Sequence, residues 1–237
     1  MMKENIESKY VGNRKMVIEL RLKAKPIIID HIGELAERME NEKVFSNTSW
    51  EINNNVLTIR NNTIKEDASD FFSISFNKIH YISDRIDSVE AFYGKFKKIY
   101  DIVRSVINDI TIYRIGCRII GSYKSKQNDY TKILDNIKAL FPTSFLLSNY
   151  PMKDMHFRVN YENGMYQIGP INKDDDFFHR EFPDTKIVNH VGFAIDTDNY
   201  LTNEVQSIDK PELVKDIFEL SLSVEKDLFD NLYKLNS

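Results

Sequence analysis

The residues with the clearest chemical potential are Arg114, Gly116 and Arg118, which alternate with apolar residues. Side chains of a β-strand alternate between its two faces, so these three would share one face. The rise of a strand puts the two arginine Cα atoms about 13 Å apart, with room above Gly116 between them. One interpretation is a concave platform for an anion, either a phosphate or a partner's carboxylate. The other is a pair of structural ion pairs with neighbouring strands or helix ends.

A second set of polar residues, Asp196, Asp198 and His190, also falls on one face of a predicted strand, with Gly192 and Ala194. Two carboxylates at this spacing can share a metal ion, and a histidine could assist. The alternative is that Asp-x-Asp forms a turn or a helix cap. No second acidic pair completes a nuclease site, so we assign no metal ligand and expect no cofactor. His190, Asp196 and Asp198 remain, with Arg114 and Arg118, candidates for binding a ligand or partner.

No catalytic residue is assigned. Cys117 falls on the apolar face of its strand, which indicates a core residue rather than a nucleophile. His156, His179 and His190 match no zinc spacing, and the acidic segment 172–186 is typical of a solvated loop. The sequence contains no Walker loop, G-x-G-x-x-G, G-x-S-x-G or H-E-x-x-H motif. Whether the protein is an enzyme stays open, with the absence of catalysis the favoured interpretation.

The elements that position these residues predict an α+β fold, with largely antiparallel sheets packed against helices. After a polar N-terminal arm, residues 1–15, we predict two similar halves, 16–109 and 110–237, packed intimately as one unit. Each half follows the order strand, helix, two or three strands, long helix. Strands are expected at about 70–81, 110–120 and 187–197. The similarity of the halves rests on element order alone.

The strongest periodic signal predicts a helix over 86–108. Its apolar residues are spaced alternately by three and four: Ile86, Val89, Tyr93, Phe96, Tyr100, Val103 and Ile107. A coiled coil would use this seam against a partner helix. Phe92, Ile99 and Val106 widen the stripe, which favours a helix lying across a sheet.

Composition limits the class of protein. The 237-residue chain is 42% hydrophobic and 29% charged, a balance typical of globular proteins. Its net charge of −4 does not favour nucleic acid as the main partner. Cys117 is the only cysteine, and we find neither a secretory signal nor a membrane span. We therefore expect a cytoplasmic protein with no membrane association.

The segment Arg114-Ile115-Gly116-Cys117-Arg118 resembles the Arg-Ile-Gly-Leu-Arg-Tyr-Ile-Asn motif of a sporadically distributed bacterial and phage family of uncharacterised function. Cys117, Ile119 and Gly121 stand where that motif has Leu, Tyr and Asn. The late Asp-x-Asp strand of the family resembles residues 195–200. The resemblance implies a prokaryotic or phage accessory protein, from a mobile element or host–phage conflict, and it supplies no activity.

These observations lead to one favoured function and one rival. The favoured function is a non-enzymatic binding protein with a protein partner. The rival is a protein that handles a phosphate ligand or nucleotide, in its strongest form a metal-dependent hydrolase. It would use Arg114 and Arg118 for phosphate, and His190, Asp196 and Asp198 for metal or proton transfer. A homodimer formed through the outer sheet face is a third arrangement.

Overall fold

A single nine-stranded sheet organises the protein. The computed structural model describes residues 6–62, 70–84, 88–141, 152–182, 189–202 and 211–236. The strands are β1 (Val11–Leu22), β2 (Thr48–Asn53), β3 (Val56–Asn61), β4 (Asp70–Ser75), β5 (Lys78–Ser83), β6 (Ile112–Lys124), β7 (Phe157–Tyr161), β8 (Gly164–Ile171) and β9 (Gly192–Thr202). The helices are α1 (Ile27–Asp30), α2 (Ile32–Asn41), α3 (Val89–Val106), α4 (Tyr130–Lys138), α5 (Asp176–Glu181) and α6 (Pro211–Leu235). The predicted α+β class is confirmed.

The strand order is β2-β3-β4-β5-β1-β6-β9-β8-β7, and all neighbours are antiparallel. The predicted first half supplies the five strands on one side, and the predicted second half supplies the four on the other. The first strand of each half, β1 and β6, therefore pair at the centre of the sheet. Internal duplication stays a prediction, because strand order records topology and not ancestry.

The predicted N-terminal arm is partly wrong. β1 begins at Val11, so residues 11–15 belong to the central strand of the first half. Ile6, further upstream, is buried in the core beside the end of α6. This strand was not predicted because the segment is polar and because a register shift between Val11 and Arg14 interrupts the alternation of its side chains.

Three other predicted elements differ from the structure. The strand expected at 70–81 is two strands, β4 and β5, joined by a turn at Phe76 and Asn77. The acidic segment 172–186 contains the short helix α5, which buries Phe177 and Phe178. The late strand runs over Gly192–Thr202, so Asp198 lies inside it rather than in a turn after it.

Helix α3 packs across the sheet, as the wide apolar stripe predicted. Phe92 stacks on Tyr81 of β5 with ring centroids 4.8 Å apart, and it also contacts Phe218 of α6 at 5.6 Å. Ser88 caps the helix by accepting a hydrogen bond from the backbone N–H of Ala91 at 3.0 Å. The helices α2, α3 and α6 thus bury one face of the sheet.

A buried ion pair fixes α6 to β1. The Arg14 guanidinium donates two hydrogen bonds to the Glu225 carboxylate, one from Nε at 2.8 Å, and the Tyr123 hydroxyl donates to the same carboxylate. The side chains of Arg14 and Glu225 are only 5% and 1% exposed. This network joins the central strands to the long helix on the helical face.

Candidate functional site

The polar residues predicted from the sequence lie on the face of the sheet opposite α3 and α6. Within β6, Gly116 is opposite Glu19 of β1, and Arg118 is opposite Asp198 of β9. Paired residues of adjacent strands point to the same face, so these four share the open face. Cys117 points to the other face, where it is fully buried, and burial raises the pKa of its thiol. The interpretation of Cys117 as a core residue is confirmed.

A groove of about 400 Å³ crosses the open face over β5, β1, β6 and β9. We call this the central groove; it is lined by Lys15, Val17, Glu19, Arg21, His80, Ile82, Arg114, Gly116, Arg118, Ile120, Glu181 and Asp198. A second concavity of about 280 Å³ shares Arg118 and Glu181 with it, and includes His156, Gln167, Arg180 and Asp196. Arg118 therefore stands between two adjoining depressions.

Arg118 forms a bidentate ion pair with Asp196. Its Nε donates to Oδ1 at 2.9 Å and its Nη2 donates to Oδ2 at 2.7 Å. The hydrogen bonds to Asp196 raise the pKa of Arg118. Because both carboxylate oxygens of Asp196 are engaged, this geometry favours the ion-pair interpretation over the metal interpretation at this residue.

Arg114 is held more loosely. Its Nη1 lies 3.7 Å from Glu19 Oε1, and its guanidinium carbon lies 4.6 Å from the centroid of the Tyr200 ring, a cation–π contact. Glu19 also accepts a hydrogen bond from Arg21 Nε at 2.9 Å. Burial opposes ionisation of Glu19, but the hydrogen bond and charge of Arg21 prevail and lower its pKa.

Two ionic groups of the central groove, Asp198 and Lys15, are desolvated, and neither charged group makes a hydrogen bond to a described residue. Asp198 is half-buried, and its carboxylate makes no hydrogen bond or ion pair to another described residue. Burial raises the pKa of this carboxyl group, against the opposing charges of Arg114 and Arg118. Lys15 is 7% exposed, and burial lowers the pKa of its ammonium group. His80, opposite Glu19, also has its pKa lowered by burial.

Four of the five predicted site residues come together here, because β6 and β9 are neighbours. The fifth, His190, lies outside the strand that carries Asp196 and Asp198. It precedes β9, and its ring packs edge-on against Phe178 with centroids 5.6 Å apart. His190 is not among the residues that line the central groove, because β9 begins two residues after it.

Lys15 is not among the predicted site residues, because the polar residues 1–15 resemble an arm. A usable signal exists: the alternation that puts Met16, Ile18 and Leu20 in the core extends backward, and it places Lys15 on the face of Glu19. His80 was missed because the strand containing it was merged with β4.

Comparison with known families and with curated proteins finds no match to this chain. The resemblance to an uncharacterised bacterial and phage family stays a prediction. Within the described ranges, no helix is long and apolar enough to cross a membrane. Over the same residues, no three His, Cys, Asp or Glu side chains group as a metal site would require.

Proposed function

We propose that this chain is a non-enzymatic binding protein whose central groove holds a charged segment of a protein partner. The observation that carries the proposal is Gly116, at the middle of the groove floor. A Cβ built at this position would meet nothing closer than 3.9 Å, namely Arg114 Nη2 and the backbone oxygen of Glu19. The fold itself has room for a side chain there.

A glycine inside a strand costs about 0.5–1 kcal/mol relative to alanine. Other glycines of the sheet have a packing reason: a Cβ at Gly121 would collide with the Tyr123 side chain, and one at Gly192 would collide with the Tyr123 backbone. Gly116 has no such reason. A glycine of this kind in a strand often marks a place where a ligand or another backbone approaches closely.

The charges of the groove favour a protein segment. Four cationic side chains (Lys15, Arg21, Arg114 and Arg118) and three carboxylates (Glu19, Glu181 and Asp198) line it, so the surface carries both signs. A protein segment can present both signs in return, and complementary charges give specificity in protein recognition. A nucleotide would bring only negative charge, which the carboxylates of Glu19, Glu181 and Asp198 would repel. This weighs against the rival function, a phosphate-handling enzyme.

We extend the proposal to the setting implied by the resemblance: a cytoplasmic accessory protein of a prokaryote or phage, acting in a mobile element or host–phage conflict. The absence of a disulfide option in a chain with one cysteine supports the cytoplasm.

The test is affinity capture from the cells that encode the protein, read by mass spectrometry, with three baits: the native chain, Gly116→Leu and Gly94→Leu. Gly94 is a matched control, because a Cβ there on α3 meets nothing within 4 Å and therefore has room for a side chain too. We expect Gly116→Leu to lose the partners that the native chain and Gly94→Leu retain. Thermal melting should show both variants at least as stable as the native chain.

Retention of the same partners by Gly116→Leu would contradict the groove as the binding site. Metal-dependent turnover of nucleotides or nucleic acid by the purified native protein would overturn the non-enzymatic assignment.

A further inference from the structure

The ammonium group of Lys15 is unusually placed for a lysine. Lysines are almost never fully buried unless they are paired, yet the side chain of Lys15 is only 9% exposed and makes no hydrogen bond within the described part of the chain. Its nearest carboxylate oxygen is Glu181 Oε2, at 4.0 Å. Its other close contact is the Phe182 ring, with the centroid 5.3 Å away. A desolvated charge in this state costs stability.

Glu181 does not compensate this charge well. Its other oxygen, Oε1, accepts a hydrogen bond from Arg180 Nε at 2.9 Å, so the carboxylate is shared between two cations. At 4.0 Å the separation of Nζ and Oε2 is beyond hydrogen-bonding distance. The Lys15 ammonium thus lines the central groove, and its N–H donors have no acceptor among the described residues.

A second cation faces the same space. Lys15 is opposite Ile120 in the β1–β6 register, so Arg118 is its diagonal neighbour, about 7–8 Å away at Cα. Burial is the main cause that lowers the pKa of Lys15; the charges of Glu181 and Asp84 oppose it, and the charge of Arg118 adds a smaller lowering effect. Arg118 uses two of its five N–H groups on Asp196, and the others make no hydrogen bond to a described residue. Its side chain is 40% exposed.

We propose that Lys15 and the remaining N–H groups of Arg118 form an anion subsite that takes a compact oxyanion, a carboxylate or a phosphate, from the ligand of the central groove. An anion between them would receive charge-assisted hydrogen bonds from both and would relieve their mutual repulsion. Ile120 and Ile82 line the groove beside the subsite and limit its hydration. The inference rests on the proposed function, because it assigns an anchor within the same groove.

The experiment measures thermal stabilisation by inorganic phosphate and, separately, by acetate, at constant ionic strength held with chloride. The variants are Lys15→Met, Lys15→Arg as the conservative replacement, and Lys78→Met as the control. Lys78 of β5 lies on the same face of the sheet as Lys15, but its side chain is 43% exposed and does not line the central groove. The carboxylate nearest to Lys15, that of Glu181, keeps its hydrogen bond from Arg180, so Lys15→Met removes a desolvated charge without leaving that carboxylate unpaired, and the variant should fold.

At an anion concentration ten times the dissociation constant, binding should raise the melting temperature by about 3–6 °C. We expect this rise for the native chain, Lys78→Met and Lys15→Arg, and its loss in Lys15→Met. A response to phosphate alone identifies a phosphate-bearing ligand, a response to acetate alone identifies a carboxylate, and a response to both supports the shared oxyanion chemistry. Equal responses of Lys15→Met and the native chain, or no response of the native chain to either anion, would overturn the subsite.

Partner capture separates this inference from the proposed function. If Gly116→Leu loses partners while Lys15→Met and the native chain respond equally to anions, the groove is supported as the partner-binding site and the anion subsite is refuted. If the anion response depends on Lys15 while Gly116→Leu keeps every partner, the anion subsite is supported and the groove is refuted as the partner-binding site.

Discussion

Removing the carboxylate of Glu225 should strongly destabilise the fold. The substitution Glu225→Gln leaves the Arg14 guanidinium, with a side chain 5% exposed, buried without its counter-charge. It also weakens the acceptor of the Tyr123 hydroxyl. Breaking one side of a buried ion pair costs about 3–5 kcal/mol. For a domain of this size each kcal/mol lowers the melting temperature by about 2–4 °C, so we expect a fall of roughly 6–20 °C.

Two comparisons make this prediction specific. Asp230→Asn removes a carboxylate of the same helix whose partner is Lys226, but those side chains are 41% and 31% exposed. An exposed pair of this kind is worth about 0.3–0.5 kcal/mol. The double variant Arg14→Met, Glu225→Leu removes both charges, and it should recover much of the stability lost by the single variant.

Chemical denaturation followed by circular dichroism gives the free energies of unfolding, and calorimetry gives the melting temperatures. A loss of stability in Glu225→Gln no larger than that in Asp230→Asn would refute the buried Arg14 charge as its cause. This cause would also be refuted if the double variant were as unstable as Glu225→Gln, because the loss would then come from packing and not from an uncompensated charge.

Two further predictions concern titration and reactivity. Asp198→Asn should raise the free energy of unfolding at pH 7. Burial raises the pKa of Asp198 in the folded protein above the ordinary 3.8, so the carboxyl group ionises at a lower pH in the unfolded chain than in the folded one. The native protein therefore loses stability as the pH rises from the unfolded-state pKa through the folded-state pKa. The gain should shrink as the pH is lowered towards 4 in a series of thermal melts, and a variant less stable than the native chain at pH 7 would show that Arg114 and Arg118 outweigh burial. Native Cys117 should resist a thiol reagent at pH 8, because burial raises its pKa, and it should react fully in denaturant; fast labelling of the folded protein would contradict its core position.

Much of the fold could be predicted because it depends on local patterns. The three- and four-residue spacing of apolar residues predicted α3, and alternation within residues 110–120 placed Arg114, Gly116 and Arg118 on one face of β6 with Cys117 on the other. Asn54 and Asn55 have φ values of 50° and 61°, the left-handed conformation that a tight hairpin needs and that Asn tolerates. Each of these features is determined by residues close together in the chain.

The errors have equally physical causes. The turn at Phe76 and Asn77 carries no glycine or proline, so β4 and β5 looked like one strand. Helix α5 has only six residues, too few for a helical period to emerge from an acidic segment. Lys15 was not predicted as a site residue, because a polar strand that begins beside a register shift resembles an unstructured arm in the sequence.

By itself, the sequence determined which face of the strand Arg114 and Arg118 share, and which face Asp196 and Asp198 share, because the alternation of side chains is a property of the local backbone. Only the tertiary structure decided which strands are neighbours. The pairing of Arg118 with Asp196 joins residues 78 positions apart, and the approach of Lys15 to Glu181 joins residues still farther apart in the chain. Such registers are set by how the apolar faces of the whole sheet pack on α3 and α6, a condition that no short segment contains. The groove over Gly116 is therefore a product of strand order, although the glycine that leaves it open was visible in the sequence.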